Sequence, residues 1–402
     1  MRLPHEPRSF RLVRGAAYFV AAACASALLV MFSSPILVDA LKQSGGCLVL
    51  GAEERTECYE DTFPSLYPEY SIGEIFRMIH VLQPYEPALA DCHFIAHALG
   101  ERVVRDDPTR WPEFIREELP ESICAGGYVH GLTIAAYDHT GLSDEEIEPE
   151  LPKFREACTG MRQNDRLICM HGLGHMLYYI TGGEVRRSLQ LCDRVMHDAD
   201  PEQTFNPARQ CQTAVMMMLL FSFIDPEWEP SPHYQLTREN IREFCLTFEK
   251  SSHRGACLRG SWPLFPESIE SAENIARFCE GQPDAHEETW CYMKLFVATT
   301  WKNLNDFEHM RAICAQTASE RQELCRQYVT REILAEGGIK RLPDAVRLCG
   351  MFDDAGSESC FQILARESGR YTGEGEGYIS RDAYCRELPE RWRERCAASR
   401  ER

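Results

Sequence analysis

The sequence predicts an all-α protein, in which an array of two-helix repeats clamped by disulfide bonds follows one N-terminal transmembrane helix. Three observations predict this fold: cysteines at a regular interval, apolar residues at helical spacing along the body, and an uncharged run near the N-terminus. Sustained alternation of apolar and polar residues, the pattern of a half-buried strand, does not occur in the sequence.

Paired cysteines recur at a nearly constant interval in the C-terminal half. The first members of five successive pairs are 34, 35, 35 and 36 residues apart, and ten or eleven residues separate the two members of each pair. A repeat of this length is typical of stacked two-helix units. A disulfide bond that closes so short a loop contributes about 3 kcal/mol in the chain-entropy model. The spacing therefore predicts that each unit is closed by its own disulfide bond.

We extend this interpretation to all cysteines outside the N-terminal apolar run and pair them consecutively. The predicted bonds are Cys47–Cys58, Cys92–Cys124, Cys158–Cys169, Cys192–Cys211, Cys245–Cys257, Cys279–Cys291, Cys314–Cys325, Cys349–Cys360 and Cys385–Cys396. One unit illustrates the expected geometry: a helix from Phe307 ends at Cys314, a polar turn spans residues 315–323, and Cys325 opens a second helix that stops before Gly337.

The N-terminus carries a candidate membrane segment. Residues 15–38 form a run of 24 residues without charge, and about 20 suffice to cross a bilayer. Because arginines precede this run, we expect a signal anchor with a cytoplasmic N-terminus. The alternative is a lipoprotein signal that ends at Cys24. The predicted organisation is a cytoplasmic segment (1–14), the anchor in the lipid bilayer (15–38), a juxtamembrane segment (39–66), a histidine-bearing helical domain (67–235) and a cysteine-paired repeat domain (236–402).

Charge and cysteine content restrict the partners and the compartment. The net charge of −19 makes nucleic-acid binding unfavourable, because an acidic body is repelled by phosphate backbones. Disulfide bonds persist outside the cytosol. We therefore expect a body that is periplasmic or extracellular, held at the inner (plasma) membrane, with a repeat surface that is available to a protein partner.

Five histidines between residues 93 and 175 form the only strong chemical pattern. His93 and His97 are four residues apart, as are His171 and His175, and His130 lies between the two pairs in a glycine-rich segment. Side chains at this spacing share one face of a helix, so each pair can direct two imidazoles at one ion. Four or five imidazoles suit zinc, copper or iron. The sequence predicts a transition-metal site formed by these five histidines.

Two other interpretations of the pattern stay open. The histidines can form a hydrogen-bonded cluster that only organises the core, and Cys92 and Cys169, next to the two pairs, can act as thiolate ligands instead of disulfide partners. Gly172 and Gly174 lie within a predicted helix at a cost of about 1 kcal/mol each. Such a cost indicates the close approach of another helix or of a ligand.

The remaining candidates are weaker. The three methionines at 216–218 fit a buried helix better than soft-metal ligation. Asp193 fits a charge on a helix surface better than a carboxylate that supports the metal. The acidic glycine-rich segment 372–377 lacks the lysine of a phosphate-binding loop and is expected to be a flexible loop.

The Cys/His/Gly motifs resemble those of a group of hypothetical bacterial and archaeal proteins without an established activity. The motifs are Cys-His-x-x-Ala-His-x-Leu-Gly (92–100), Cys-x-Gly-Gly-Tyr-x-His-Gly (124–131), Cys-x-His-Gly-Leu-Gly-His (169–175) and Leu-Cys-Asp (191–193). The resemblance covers roughly residues 90–195 and implies that the motifs act as one unit. It also implies an acidic residue after the central His-Gly and a glycine-rich segment after a later cysteine. This chain has residues 132–135 (Leu-Thr-Ile-Ala) and 212–215 (Gln-Thr-Ala-Val) there, a departure that favours binding over catalysis.

Three hypotheses about function follow. The first is a membrane-anchored, extracytoplasmic helical protein that binds a transition metal and uses it to activate water or oxygen at an open coordination position. The second is an interaction scaffold with structural histidines, in which the concave repeat surface binds a protein or a peptide. The third is metal storage or delivery without turnover.

Overall fold

The computed structural model describes residues 35–83, 85–89, 92–115, 123–137, 141–159, 163–195, 206–223, 233–372 and 379–398. Within these ranges the chain is helical, and its only extended pairing is an isolated bridge between Thr372 and Ile379. The prediction of an all-α fold is therefore confirmed. The acidic glycine-rich segment lies almost entirely outside the described residues.

The helices are numbered here in chain order. They are α1 (Pro35–Ser44), α2 (Ala52–Ser65), α3 (Ile72–Leu82), α4 (His93–Val104), α5 (Trp111–Phe114), α6 (Ile123–Ala135), α7 (Asp144–Ile147), α8 (Leu151–Ala157), α9 (Gln163–Ile180), α10 (Val185–Val195), α11 (Pro207–Leu220), α12 (Ile241–Leu246), α13 (Ser251–Gly260), α14 (Ala272–Cys279), α15 (Ala285–Lys302), α16 (Phe307–Gln316), α17 (Ser319–Gly337), α18 (Leu342–Met351), α19 (Asp354–Tyr371), α20 (Arg381–Glu387) and α21 (Glu390–Ala398).

Part of the predicted membrane anchor lies outside this description. Residues 15–34 are not among the described residues, and residues 35–38 belong to the first turn of α1. Among the helices that are described, none combines the length and the apolar character needed to cross a bilayer.

Many helices begin at a side-chain cap that the sequence provides. Ser71 accepts a hydrogen bond from the backbone N–H of Glu74 at the start of α3, and Asp284, Asp306 and Asp353 cap α15, α16 and α19 in the same way. Such caps satisfy backbone donors that have no partner within the helix. They fix where these four helices begin.

Two layers of helices make up the array. The second helices of the units pack side by side in one row, each against the next, from α2 through α4, α6, α9, α11, α13, α15, α17 and α19 to α21. The shorter first helices form the other layer, where α14, α16, α18 and α20 contact one another in order. This arrangement is the predicted stack of two-helix repeats.

Disulfide bonds join the end of the first helical element of a unit to a point one to two turns inside the second helix. The structure has eight of the predicted bonds, with Cα–Cα distances from 5.3 to 5.7 Å: Cys47–Cys58, Cys158–Cys169, Cys192–Cys211, Cys245–Cys257, Cys279–Cys291, Cys314–Cys325, Cys349–Cys360 and Cys385–Cys396. Cys92 is also disulfide-bonded, and its predicted partner Cys124 has a side chain outside the described part of the chain.

The structure corrects the predicted turn in the unit that begins at Phe307. The second helix of that unit starts at Ser319 and not at Cys325, so the turn is much shorter than predicted. The polar residues from 319 to 323 are good helix formers, and Gln322 donates from Nε2 to the carbonyls of Ala315 and Thr317 at 3.2 and 3.1 Å. That side chain satisfies carbonyls at the end of α16 that a longer turn would leave free.

The row of second helices curves back on itself. Helices α6 and α17 are five steps apart in the row and nevertheless contact each other. At one end of this closure Lys340 Nζ donates to the backbone carbonyl of His80 at 3.1 Å, across 260 residues of chain. The second helices therefore line the inner side of the curve.

The buried apolar residues form two clusters, one from Ala40 to Leu258 and the other from Ile269 to Cys396. Their separation falls between α13 and α14, whereas contacts between second helices continue across it. The domain boundaries given by the sequence, including the one between residues 235 and 236, stay a prediction.

Candidate metal centre

Three adjacent second helices carry the five predicted histidines. His93 and His97 lie on α4, His130 lies on α6, and His171 and His175 lie on α9. Helix α6 packs between α4 and α9. The fold therefore brings the two histidine pairs and the single histidine to one place on the inner side of the array.

Glycines let α4 and α6 approach each other more closely than side chains would allow. A Cβ atom at Gly127 would overlap the carbonyl oxygen of His93, and one at Gly131 would overlap that of His97. Because both contacts advance by four residues on each helix, the two helices run parallel and in register. This register sets His130 at the level of the His93–His97 pair.

Helix α9 reaches the cluster through the two glycines that the sequence singles out. A Cβ at Gly172 would collide with Val129 of α6, and one at Gly174 would collide with the carbonyl of Cys211 on α11. Thr133 also bridges α6 and α9, since its hydroxyl lies 3.4 Å from the carbonyl oxygen of Gly172. The predicted reason for both glycines is thus confirmed as close helix approach.

His130, His171 and His175 form the centre of the cluster. One ring nitrogen from each lies within 4.8 Å of one from each of the others. The Nε2 atoms of His171 and His175 are 3.2 Å apart, and the His130 ring stacks on that of His175 at 4.2 Å between centroids. Two nitrogens bound to one tetrahedral zinc ion at 2.0–2.1 Å would be about 3.3 Å apart. The spacing of this pair fits joint ligation of one ion.

His93 and His97 flank this centre. The His93 ring meets the His130 ring edge to face at a centroid distance of 5.1 Å. His97 Nδ1 lies 2.9 Å from a carboxylate oxygen of Glu101, one turn later on the same helix. A carboxylate on one ring nitrogen fixes the tautomer and orients the other nitrogen, as it does behind many metal-binding histidines.

The environment favours neutral imidazoles at the centre. Burial lowers the pKa of His130 and His175 well below the ordinary value, and the neighbouring histidines lower both further. Burial also lowers the pKa of His171 to about 3, with a further contribution from the charge of Lys294 on α15. A neutral imidazole offers the lone pair that a metal ion requires.

The two cysteines beside the histidine pairs are not thiolates. Cys169 forms a disulfide bond with Cys158, and Cys92 is likewise disulfide-bonded. The alternative of thiolate ligation by these two residues is therefore wrong. Each bond instead fixes its helix next to a histidine pair, because Cys92 precedes His93 by one residue and Cys169 precedes His171 by two.

The weaker sequence candidates lie elsewhere. Asp193 interacts with His253 Nε2 at 3.0 Å and with Gln212 Nε2 at 2.8 Å, so it belongs to a separate polar cluster. Met216 and Met218 are buried in α11, as expected for a core helix.

The sequence interpretation missed two charged residues that act on the histidines, Glu101 on His97 and Lys294 on His171. Glu101 could have been found, because it follows His97 by one helical turn. Lys294 lies on α15, far from His171 in the sequence, so no local pattern could have linked the two residues.

Comparison with models of known protein families, with curated proteins and with solved structures finds no match for this chain.

Proposed function

We propose that this protein binds a divalent transition-metal ion through His130, His171 and His175, with His93 and His97 beside it. The observation that carries the proposal is the convergence of three ring nitrogens within 4.8 Å from two different helices. Imidazole ligands suit zinc, copper or iron. Three histidine ligands leave a tetrahedral ion one open position, as in catalytic zinc sites.

The packing around the cluster supports a site that is formed before the metal arrives. Four glycines bring α4, α6, α9 and α11 together, and disulfide bonds hold α9 and α11 to their first helices. Rigid helices that present ligands in advance reduce the ordering required on binding. A cluster that served only to fill the core would be more stable with apolar side chains, because buried imidazoles need partners.

The test is metal content. The full chain, purified without a histidine tag, should contain stoichiometric zinc, copper or iron by elemental mass spectrometry. His171→Ala should lower that content at least about tenfold, because it removes one of three ligands. His309→Ala, on α16, is the control and should leave it unchanged.

Metal-free wild-type protein that also fails to take up added zinc, copper or iron would contradict the proposal. The interaction scaffold, with a hydrogen-bonded histidine cluster in its core, would then be the better interpretation. The 3.2 Å separation of the two Nε2 atoms is compatible with such a hydrogen bond when no metal is bound.

We also propose an extracytoplasmic body held to the bilayer by residues 15–38. The eight described disulfide bonds support this proposal, because such bonds rarely persist in the cytosol. Thiol alkylation of intact cells that express the full chain should find the paired cysteines oxidised. Free thiols at the paired cysteines would contradict this location.

A further inference from the structure

A cavity of about 370 Å³ lies one helical turn beyond the candidate metal centre. Side chains four positions apart share one face of a helix, and three lining residues of the cavity stand in this relation to a histidine of the cluster. Glu101 follows His97 on α4, Ile134 follows His130 on α6, and Tyr179 follows His175 on α9. The remaining lining residues are Arg105, Pro108 and Ala135.

The direction of the helices places this cavity against the histidine cluster. In an α-helix the Cα–Cβ bonds tilt toward the N-terminus, so a side chain covers the turn that precedes its own Cα atom. Glu101 shows this directly, because it lines the cavity and its carboxylate lies 2.9 Å from His97 Nδ1. A molecule that enters the cavity therefore approaches the centre from the C-terminal ends of α4, α6 and α9.

The size and the lining of the cavity suit a small molecule. Sites for small molecules usually enclose about 300–1,000 Å³ and combine apolar walls with a few polar groups. Pro108, Ile134 and Ala135 provide apolar surface here, whereas Arg105 and Tyr179 provide a cation and a hydroxyl group. The polar groups therefore decide which class of molecule the cavity accepts.

Arg105 and Tyr179 are not engaged by other protein groups. Among the described residues, Arg105 forms no ion pair and the Tyr179 hydroxyl forms no hydrogen bond, whereas the carboxylate of Glu101 is already paired with His97. Arg105 is exposed directly after the last residue of α4, where the helix dipole favours a positive charge. That position explains a cation and leaves its guanidinium available to a ligand. A guanidinium pairs with a carboxylate or a phosphate through two parallel hydrogen bonds.

We propose that this cavity binds a small molecule with a carboxylate or phosphate group, which Arg105 pairs and to which Tyr179 donates a hydrogen bond. The other end of the molecule then faces the open position of the metal. This placement of the other end rests on the proposed metal site, whereas recognition of the acidic group rests on the cavity alone. Arg105 and Tyr179 determine ligand class, and ligation of the metal is left to the histidines.

The experiment titrates the full chain, whose metal content is measured first, with simple acids and their neutral counterparts. The acids are succinate, benzoate and phenyl phosphate, the counterparts are succinamide, benzamide and phenol, and binding is followed by saturation-transfer difference NMR. At least one acid should bind about tenfold or more tightly than its counterpart, because only the acid forms charge-assisted hydrogen bonds. Arg105→Met should weaken that acid by about tenfold or more, whereas Arg105→Lys should retain part of the affinity.

Arg102→Met is the matched control, because Arg102 lies on the same helix, pairs with Asp106 and does not line the cavity. It should leave acid affinity unchanged. Ala135→Leu adds bulk to the cavity wall and should weaken the acid without lowering metal content. In the chain loaded with cobalt(II), the bound acid should also change the visible spectrum of the metal.

Four outcomes separate the two proposals. No acid binding in the wild type, or equal affinity in Arg105→Met, would overturn the inference and leave the metal site standing. A cobalt spectrum that the bound acid does not change would overturn the placement of its other end at the metal. A chain that takes up no metal would overturn the proposed function, and the same titrations would still decide whether Arg105 recognises an acid.

Discussion

The side chains of the candidate centre divide into those that contact one another through ring nitrogens and those that set ring orientation. The i, i+4 spacing predicted correctly that each histidine pair shares a helix face, because that spacing is a local property of the backbone. Glu101 follows from the same rule. The effect of Lys294 on His171 could not be predicted, since it depends on how helices far apart in sequence pack.

Glu101 provides a prediction at the scale of one residue. Glu101→Gln removes the carboxylate that lies 2.9 Å from His97 Nδ1 and so loosens the orientation of that imidazole. Loss of such a carboxylate behind a ligating histidine typically lowers metal affinity by about 10- to 100-fold. His97 lies beside the three proposed ligands, so we expect a loss at the lower end of this range, about tenfold, measured by competition with a chromophoric chelator.

The control for this change is Glu273→Gln, which removes an exposed carboxylate paired with Arg277 four residues later on α14. Its metal affinity should equal that of the wild type. Equal affinity in Glu101→Gln would show that Glu101 has no part in positioning a ligand.

At the scale of helices, the repeat and its clamps were predictable because a disulfide bond over a short loop is a local event. Contacts between units depend instead on glycines, whose packing partners the sequence does not identify; at Gly172 and Gly174 it indicated a close approach without showing which helix approaches. Gly131 illustrates this point, since its role appears only when α4 lies against α6. The exact start of α17 was also missed. Gln322 satisfies carbonyls at the end of the preceding helix, and this contact allows a turn that is shorter than the polar stretch suggested.

Gly131 provides the corresponding prediction. Gly131→Ala would place a Cβ atom on the carbonyl oxygen of His97 and force α4 and α6 apart. We expect a loss of about 3 kcal/mol in the free energy of unfolding, at the upper end for an overpacked core. Urea unfolding followed by circular dichroism measures this loss.

Gly126→Ala on the same helix is the control, because nothing lies within 4 Å of a Cβ at that position. It should leave stability unchanged or raise it by up to about 1 kcal/mol. Similar behaviour of the two variants would refute the close approach of α4 and α6.

At the scale of the whole molecule, the closure of the row is the feature that the sequence did not predict. The hydrogen bond from Lys340 to the His80 carbonyl joins residues 260 positions apart, and the contact of α6 with α17 spans a similar part of the array. Curvature accumulates from small rotations between neighbouring units, which no single residue encodes. The compartment and the membrane anchor remain predictions from composition.

His80 makes this closure sensitive to pH. Burial, together with the charge of Lys340, lowers the pKa of His80 to about 4, from 6.5 in the unfolded chain. The unfolded chain therefore binds more protons between these values. The stability linked to His80 is fully present above about pH 6.5 and falls as the pH drops toward 4, by up to about 3 kcal/mol.

The check compares wild type and His80→Leu in urea unfolding from pH 7 to pH 4.5, with a chelator present. The variant should lose part of the acid slope, up to about 1.4 kcal/mol per pH unit. The remaining slope belongs to the histidine cluster, whose pKa values are also lowered by burial. Identical slopes in the two proteins would refute the assignment to His80.

The disulfide bonds have a mechanical consequence. Each of the eight described bonds links residues 11 to 19 positions apart, in two successive helical elements. None of these bonds joins distant units. The disulfide bonds thus make each of these helix pairs rigid. The angle between neighbouring pairs, and so the curvature of the array, depends on noncovalent contacts alone. Under tension or in mild denaturant, the packing between neighbouring helix pairs should therefore loosen first. Solvent should enter the interior of the array before any single disulfide-closed helix pair unfolds.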